Sequence, residues 1–226
     1  MKYEKHIIND HLFDDIDTEE KAYFLGLLFS DGNVSSSSNA INIKLHNKDK
    51  DILEKLSNII FCSPARLYKS ENNTILKFSS KPIKDRLVEL GCIPNKSLKI
   101  VYPNINENLN NHFIRGYFDG DGSLYSHDHD YVIALISTED FCKSINDIIN
   151  NNFNINGILV KDKKMLSNGN NITTYLKYTG TRKAAKIMDW LYKDANIYLK
   201  RKYNKYLELK QWIAEVDSRT NRYSKI

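Results

Sequence analysis

The chain has 226 residues, 41% hydrophobic and 27% charged, a globular balance that excludes wholesale disorder. No apolar run approaches the roughly 20 residues of a membrane span, and the first residues lack a secretory signal's apolar core. No membrane partner is therefore expected, and the location expected is intracellular: cytoplasm, nucleoid or an organelle matrix. The net charge of +5 is unevenly spread, because residues 1–34 hold three lysines against eight acids and leave a net of +10 on the remainder. Such a positive field suits a polyanion, most simply nucleic acid. Cys62, Cys92 and Cys142 are odd in number, far apart and without a C-x-x-C pair, which excludes a disulfide framework and a zinc site.

After an N-terminal segment over 1–17, Asp17 or Thr18 can cap a helix, with Glu20 placed as in a capping box. That helix runs through Phe29, and its nearly all-round apolar character predicts burial on every side. Residues 40–46 alternate as a half-buried strand with Ile41, Ile43 and Leu45 inward, leaving Lys44 and His46 outward. A helix over 49–60 follows, then strands over 65–70 and 74–80 joined at Glu71-Asn72-Asn73. A helix over 81–90 stops at Gly91. The pattern then repeats: a helix over 108–119, strands over 123–127 and 131–137, and a helix over 139–151. A longer hairpin over 157–179 turns at Asn168-Gly169-Asn170, helices over 182–193 and 198–216 follow, and a polar tail over 217–226 is expected to fray.

The chain is in effect written twice. Phe24-Leu-Gly-Leu-Leu-Phe-Ser-Asp31-Gly32 returns ninety residues later as Ile114-Arg-Gly-Tyr-Phe-Asp-Gly-Asp121-Gly122. Asp51–Ile60 likewise matches Asp140–Ile149, at an offset one residue shorter. The reading is α+β: two pseudo-symmetric αββαββα half-domains over 18–104 and 105–216, each with an antiparallel sheet. Gly26 and Gly116 lie inside the repeated helices, where glycine costs about 1 kcal/mol against alanine. Matched glycines imply that two helix backbones approach closely there, and Gly32 and Gly122 are expected to stop the helices. Asp31 and Asp121 then stand at two neighbouring helix C-termini. Two carboxylates there are unfavourable without a cation between them, and Mg²⁺, with oxygen ligands and retained waters, suits attack on a phosphodiester. An EF-hand reading of Asp119–Ser123 fails, since Leu124 stands where the loop needs glycine.

The two motif segments, with the flanking Pro94-Asn-Lys-Ser97 and Tyr198-Leu-Lys-Arg-Lys202 stretches, resemble the LAGLIDADG homing endonuclease family over most of 18–210. The resemblance implies a monomer with two motif helices at the interface between half-domains, each half laying a curved antiparallel sheet in the DNA major groove. It places the metal-binding carboxylates at Asp31 and Asp121, with the carbonyls of Ser30 and Gly120 in the metal shell. It implies Mg²⁺ as cofactor, with Mn²⁺ as a substitute. It also matches Lys96 and Lys202 to a lysine that stabilises charge at the scissile phosphate. A solvent-positioning residue falls near His46 or Asn47, and near Ser137 or Thr138. The sixth motif position differs between copies, Phe29 against Asp119, which points to an asymmetric helix interface.

Strand alternation then gives the candidate DNA contacts. In the first half these are Lys44, His46, Arg66, Tyr68 and Lys77, with Ile75 and Ser79 also outward and Leu76 and Phe78 inward. In the second half they are Lys161, Lys163, Thr173, Tyr175 and Lys177. Both hairpins are rich in lysine and arginine, which can read guanine in the major groove. The expected function is site-specific hydrolysis of both strands of a long asymmetric duplex, an activity associated with intron mobility. The resemblance admits two alternatives: an intron maturase whose partner is intron RNA, and a DNA-binding protein of the same fold that does not cut.

Overall fold

A computed structural model describes residues 7–61, 67–127, 130–161 and 173–223. The chain divides into two compact units, Met1–Asp121 and Gly122–Ile226. No described helix is long and apolar enough to cross a membrane.

In the first unit, helix α1 (Glu19–Asp31) leads into strands β1 (Gly32–Val34) and β2 (Ala40–His46), and helix α2 (Lys50–Ile60) follows. Strands β3 (Leu67–Lys69) and β4 (Asn73–Ser79), helix α3 (Lys81–Glu89) and helix α4 (Asn110–Asp121) complete it. The cap of α1 is Thr18, whose Oγ1 accepts from Lys21 N at 3.3 Å. Every residue from Ala22 to Phe29 is buried, as an all-round apolar helix requires. The sheet is antiparallel in the order β1-β2-β4-β3, with Ile41 paired to Phe78 and Ile43 to Leu76 on the buried side. The short strand β1, not located individually from sequence, pairs with β2 and ties the end of α1 directly to the sheet.

Helix ends are set locally. After α3, Gly91 N donates to Val88 O and Cys92 N to Leu87 O, a Schellman closure that the left-handed Gly91 (φ +98°) makes possible. Gly32 stops α1 as expected, as its C-cap with its N–H donating to Leu28 O, but its φ is −77° and it opens β1 directly. There a Cβ would lie 2.8 Å from Leu28 Cα, so close packing, not a left-handed turn, requires the glycine. The segment before α1 is built into the core: Leu12 and Phe13 are buried, Ile8 bridges Phe61, and Ser80 Oγ donates to Asp10 Oδ1 at 2.5 Å.

In the second unit, strands β5 (Ser123–His127) and β6 (Asp130–Ser137), helix α5 (Glu139–Phe153), strands β7 (Ile158–Lys161) and β8 (Thr174–Thr179), and helices α6 (Thr181–Tyr192) and α7 (Lys200–Tyr223) follow in order. The sheet order, β5-β6-β8-β7, is the first sheet's order over again. Thr138 caps α5 by accepting from Phe141 N, and Asn154 closes it in the left-handed region. Helix α7 continues past 216 to Tyr223, where a frayed tail was expected. Arg182 of α6 holds Asp217 by a two-pronged ion pair, and Tyr206 and Lys210 both donate to Asp189 of α6. The sequence repeat begins near 105, but the packing boundary falls after Asp121 because α4 lies against α1.

Cys92 and Cys142 are buried, donate to the carbonyls of Leu28 and Thr174, and have thiols pushed up to about 12 by burial. They are packing residues, unreactive near neutral pH. Cys62 lies outside the described residues.

Candidate active site

Helices α1 and α4 meet backbone to backbone at the two glycines. A Cβ on Gly26 would stand 2.8 Å from Tyr117 N, and one on Gly116 would stand 3.0 Å from Leu27 N. The two contacts are the same contact seen twice, since each residue on one helix is ninety positions from its counterpart on the other. Only glycine permits this separation, which is what the repeated mid-helix glycine implies physically.

The closeness persists to the helix ends. Asp31 and Asp121 are the last residues of α1 and α4. A Cβ on Gly120 would fall 2.5 Å from Asp31 Oδ2, so the bare Gly120 backbone is what the Asp31 carboxylate packs against. Asp31 is half-buried and Asp121 is exposed. The oxygens these helix ends carry include the Asp31 and Asp121 carboxylates and the Ser30 and Gly120 carbonyls, all hard donors that suit Mg²⁺ better than a soft metal. Among the described residues no three His, Cys, Asp or Glu side chains gather into a metal site. A cation at the helix ends would draw on two carboxylates, main-chain oxygens and water.

Lys96 is buried and donates to Ser30 O at 3.2 Å and to Gly32 O. Its ammonium thus brackets Asp31 through the carbonyls on either side. It is set there by a short 3₁₀ turn (Lys96–Leu98) that begins after Asn95, which is held at φ +55°. In the second unit Lys202, near the start of α7, donates to Gly122 O, the carbonyl that follows Asp121 in the chain. Gly32 and Gly122 are counterparts in the repeat, so both lysines make the same main-chain bond although they stand 106 residues apart in sequence.

The flanks of the seam differ. On one, Tyr23 OH donates to Asp119 Oδ2 at 2.7 Å, and Arg115 pairs with Glu19 at 2.6 Å. Arg115 also reaches His112 Nδ1 at 3.0 Å and lies 5.5 Å from the Tyr23 ring centre. Arg115 and Asp119 are both fully buried. Burial, and then the Arg115 charge, hold His112 below the ordinary histidine value. On the other flank the counterpart of Tyr23–Asp119 is Phe113–Phe29, an edge-to-face aromatic pair at 5.2 Å. Sequence reading caught the Phe29/Asp119 mismatch but missed Glu19, Tyr23, His112 and Arg115. The available signal was the arginine set inside an apolar helix.

The outward sheet faces follow the strand registers. In the first sheet Asn42 pairs with Lys77, Lys44 with Ile75, and Ile75 with Tyr68, so these side chains share one face. Lys44, His46, Lys77 and Tyr68 are exposed, Tyr68 at 52%. In the second sheet Tyr175 and Lys177 share a face with Val160 and Ile158. Thr173 precedes β8 and is half-buried. Lys161 departs from expectation. It pairs with buried Thr174 and binds Glu139 of α5 at 2.8 Å, so it belongs to the helix side of the sheet. The residues between β7 and β8, where a turn at Asn168-Gly169-Asn170 was expected, lie outside the described residues; the register sets even residues of β8 opposite odd residues of β7, which alternation along one strand could not reveal. Lys143 and Lys161 together hold Glu139 down to about 2. Arg66 and Lys163 lie outside the described residues.

Of the candidates for positioning solvent, Asn47 is engaged with Ser70 O, Glu71 O and Thr74, and Thr138 caps α5. Ser137 is on the buried face of its sheet. His46 alone of the four is exposed on the outward face, where its Nδ1 accepts from Lys48 N.

No protein-family model matches the sequence, and no curated protein matches it. Solved structures do. The chain is similar to I-SmaMI bound to an uncleaved DNA target in the presence of calcium ions, with a TM-score of 0.56, 15% identity, and coverage of 88% of this chain and 92% of that one. It is similar to the I-LtrWI LAGLIDADG homing endonuclease bound to target DNA, with a TM-score of 0.57, 14% identity, and coverage of 88% and 91%. It is also similar to full-length DUF199/WhiA from Thermatoga maritima, with a TM-score of 0.53, 16% identity, and coverage of 96% and 69%. Likeness at such identities is a likeness of fold: the chain has the LAGLIDADG fold, an α+β chain of two αββαββα repeats whose motif helices pack against each other.

Proposed function

We propose that this protein is a site-specific endodeoxyribonuclease that hydrolyses both strands of a long, asymmetric DNA duplex. One observation carries the reading. The same three-part arrangement, a motif aspartate ending a helix, a glycine after it, and a lysine on that glycine's carbonyl, occurs at both repeats. Fold alone would not license this, because LAGLIDADG folds serve more than one protein class.

Asp31 and Asp121 would each serve one strand, with the Ser30 and Gly120 carbonyls completing the oxygen set for a divalent cation, Mg²⁺ or Mn²⁺. When bound, that cation supplies Lewis acidity and an activated water. Lys96 and Lys202 supply positive charge that the protein holds in place before substrate arrives, ready for the charge that grows on the phosphate. Lys44, His46, Tyr68 and Lys77 on one sheet, and Thr173, Tyr175 and Lys177 on the other, would face the duplex. Two unlike repeats in one chain imply a monomer on a non-palindromic site, with an intracellular genome as its setting.

The test is a cleavage selection with Mg²⁺ on a randomised duplex library, run beside Asp31→Asn and Asp121→Asn. The expected result is one asymmetric site cut on both strands by the parent. Each variant should lose double-strand cleavage by at least about 10²-fold while nicking continues. An enriched duplex that is bound but cut by neither parent nor variant would reject the nuclease reading in favour of a binding protein.

A further inference from the structure

We propose that the outward face of the second sheet reads a thymine-rich half-site through the thymine methyl groups; the inference rests on the duplex-binding reading above. The repeat lets the two faces be compared position by position. Asn33 and Ser123 are counterparts, and their pairings set Ala134 where the first sheet has Asn42. One step along, Ile136 stands where the first sheet has Lys44, and Val160 where it has Tyr68. Three hydrogen-bonding side chains of the first face have become aliphatic in the second, Ile75 has become Tyr175, and Lys77 and its counterpart Lys177 are both kept.

The exchange leaves apolar surface in the open. Ile158 is 61% exposed and Val160 42%, both on the edge strand β7. An exposed aliphatic strip marks a binding surface. The charge of this unit says what kind: Gly122–Ile226 carries 17 lysines and arginines against 11 acids, while Met1–Asp121 is nearly balanced. A cationic unit with an aliphatic strip suits a polyanion that offers apolar groups. The duplex offers one such group in the major groove, the C5 methyl of thymine, and guanine–cytosine pairs offer only donors and acceptors there. Set against a guanine–cytosine edge, Ile158 and Val160 would displace water and return no hydrogen bond. Set against thymine, the same side chains gain apolar contact.

The experiment uses the enriched duplex and the full chain carrying Asp31→Asn and Asp121→Asn, so that binding is measured without loss of substrate. Thymine is replaced by deoxyuridine in one half-site at a time, which removes the methyl and keeps every hydrogen-bonding group. In one half, each replaced thymine should weaken binding by up to about fourfold, the scale of one buried methyl. Adding Ile158→Thr with Val160→Thr should erase that sensitivity and leave the other half unaffected; both sites are exposed enough for the chain to fold. A bound duplex indifferent to deoxyuridine in both halves would overturn the inference and leave the duplex-binding reading intact. Failure of any duplex to enrich would overturn both. A change in sedimentation of the DNA-free Ile158→Thr, Val160→Thr chain, with unchanged DNA affinity, would also overturn it and assign the strip to a second copy of the chain.

Discussion

The two flanks of the α1–α4 seam share a backbone and differ in chemistry. Around the paired glycines the helices are counterparts, yet one flank buries Glu19, Arg115, Tyr23 and Asp119 while the other buries Phe29 against Phe113. The difference shows what glycine packing leaves undecided. Two glycine notches would let α1 pair with another α1 as readily as with α4. In an α1–α1 pair, Tyr23 would meet Phe29 and Glu19 would meet Leu25. In an α4–α4 pair, Asp119 would meet Phe113. Each alternative buries charge or hydroxyl without a partner, at a cost of several kcal/mol for a charge. The polar flank therefore fixes which helix pairs with which, while the glycines fix how closely.

Four measurements break or sharpen that contrast. The largest effect is expected from Glu19→Ala, which takes away the carboxylate facing buried Arg115 and should lower unfolding free energy by about 3–5 kcal/mol in a denaturant titration. Next, Gly26→Ala and Gly116→Ala should each cost roughly 1–3 kcal/mol, and by similar amounts, because the notch is alike on both helices. A large inequality between them would mean the seam is less symmetric than its glycines. On the apolar flank, Phe29→Leu should cost less than about 1.5 kcal/mol, since a similar volume is kept and no polar group is stranded. The smallest effect is one of pH. His112 titrates lower in the folded chain than the ordinary value of 6.5, so the unfolded chain binds more protons below that value and stability falls as pH drops through it. His112→Asn should flatten that slope, and an unchanged slope would place the acid sensitivity elsewhere.

Much of this was legible in the sequence, for physical reasons. Elements whose signal is local, such as the alternation in β2 and β4 or the glycine stop after α3, follow from nearest neighbours along the chain. The notch was legible because a costly residue recurred at matched positions. Bonds that span 96 residues, Tyr23–Asp119 and Arg115–Glu19, carry no local signature beyond a charge in an apolar helix. The face of Lys161 was not legible because alternation along one strand does not give its register against the next. Helix α7 outran its apolar pattern because Asp217 finds Arg182, a tertiary contact that a polar sequence does not announce.

The lysine tethers bear on how such a protein can change. Lys96 and Lys202 are held by main-chain oxygens, Gly32 O and Gly122 O, and a carbonyl is present whatever side chain a position carries. Rewriting the outward strand residues one at a time should therefore leave both ammonium groups where they are. On the function proposed, recognition and chemistry are separable traits: the address can be edited letter by letter, and each intermediate keeps its blade.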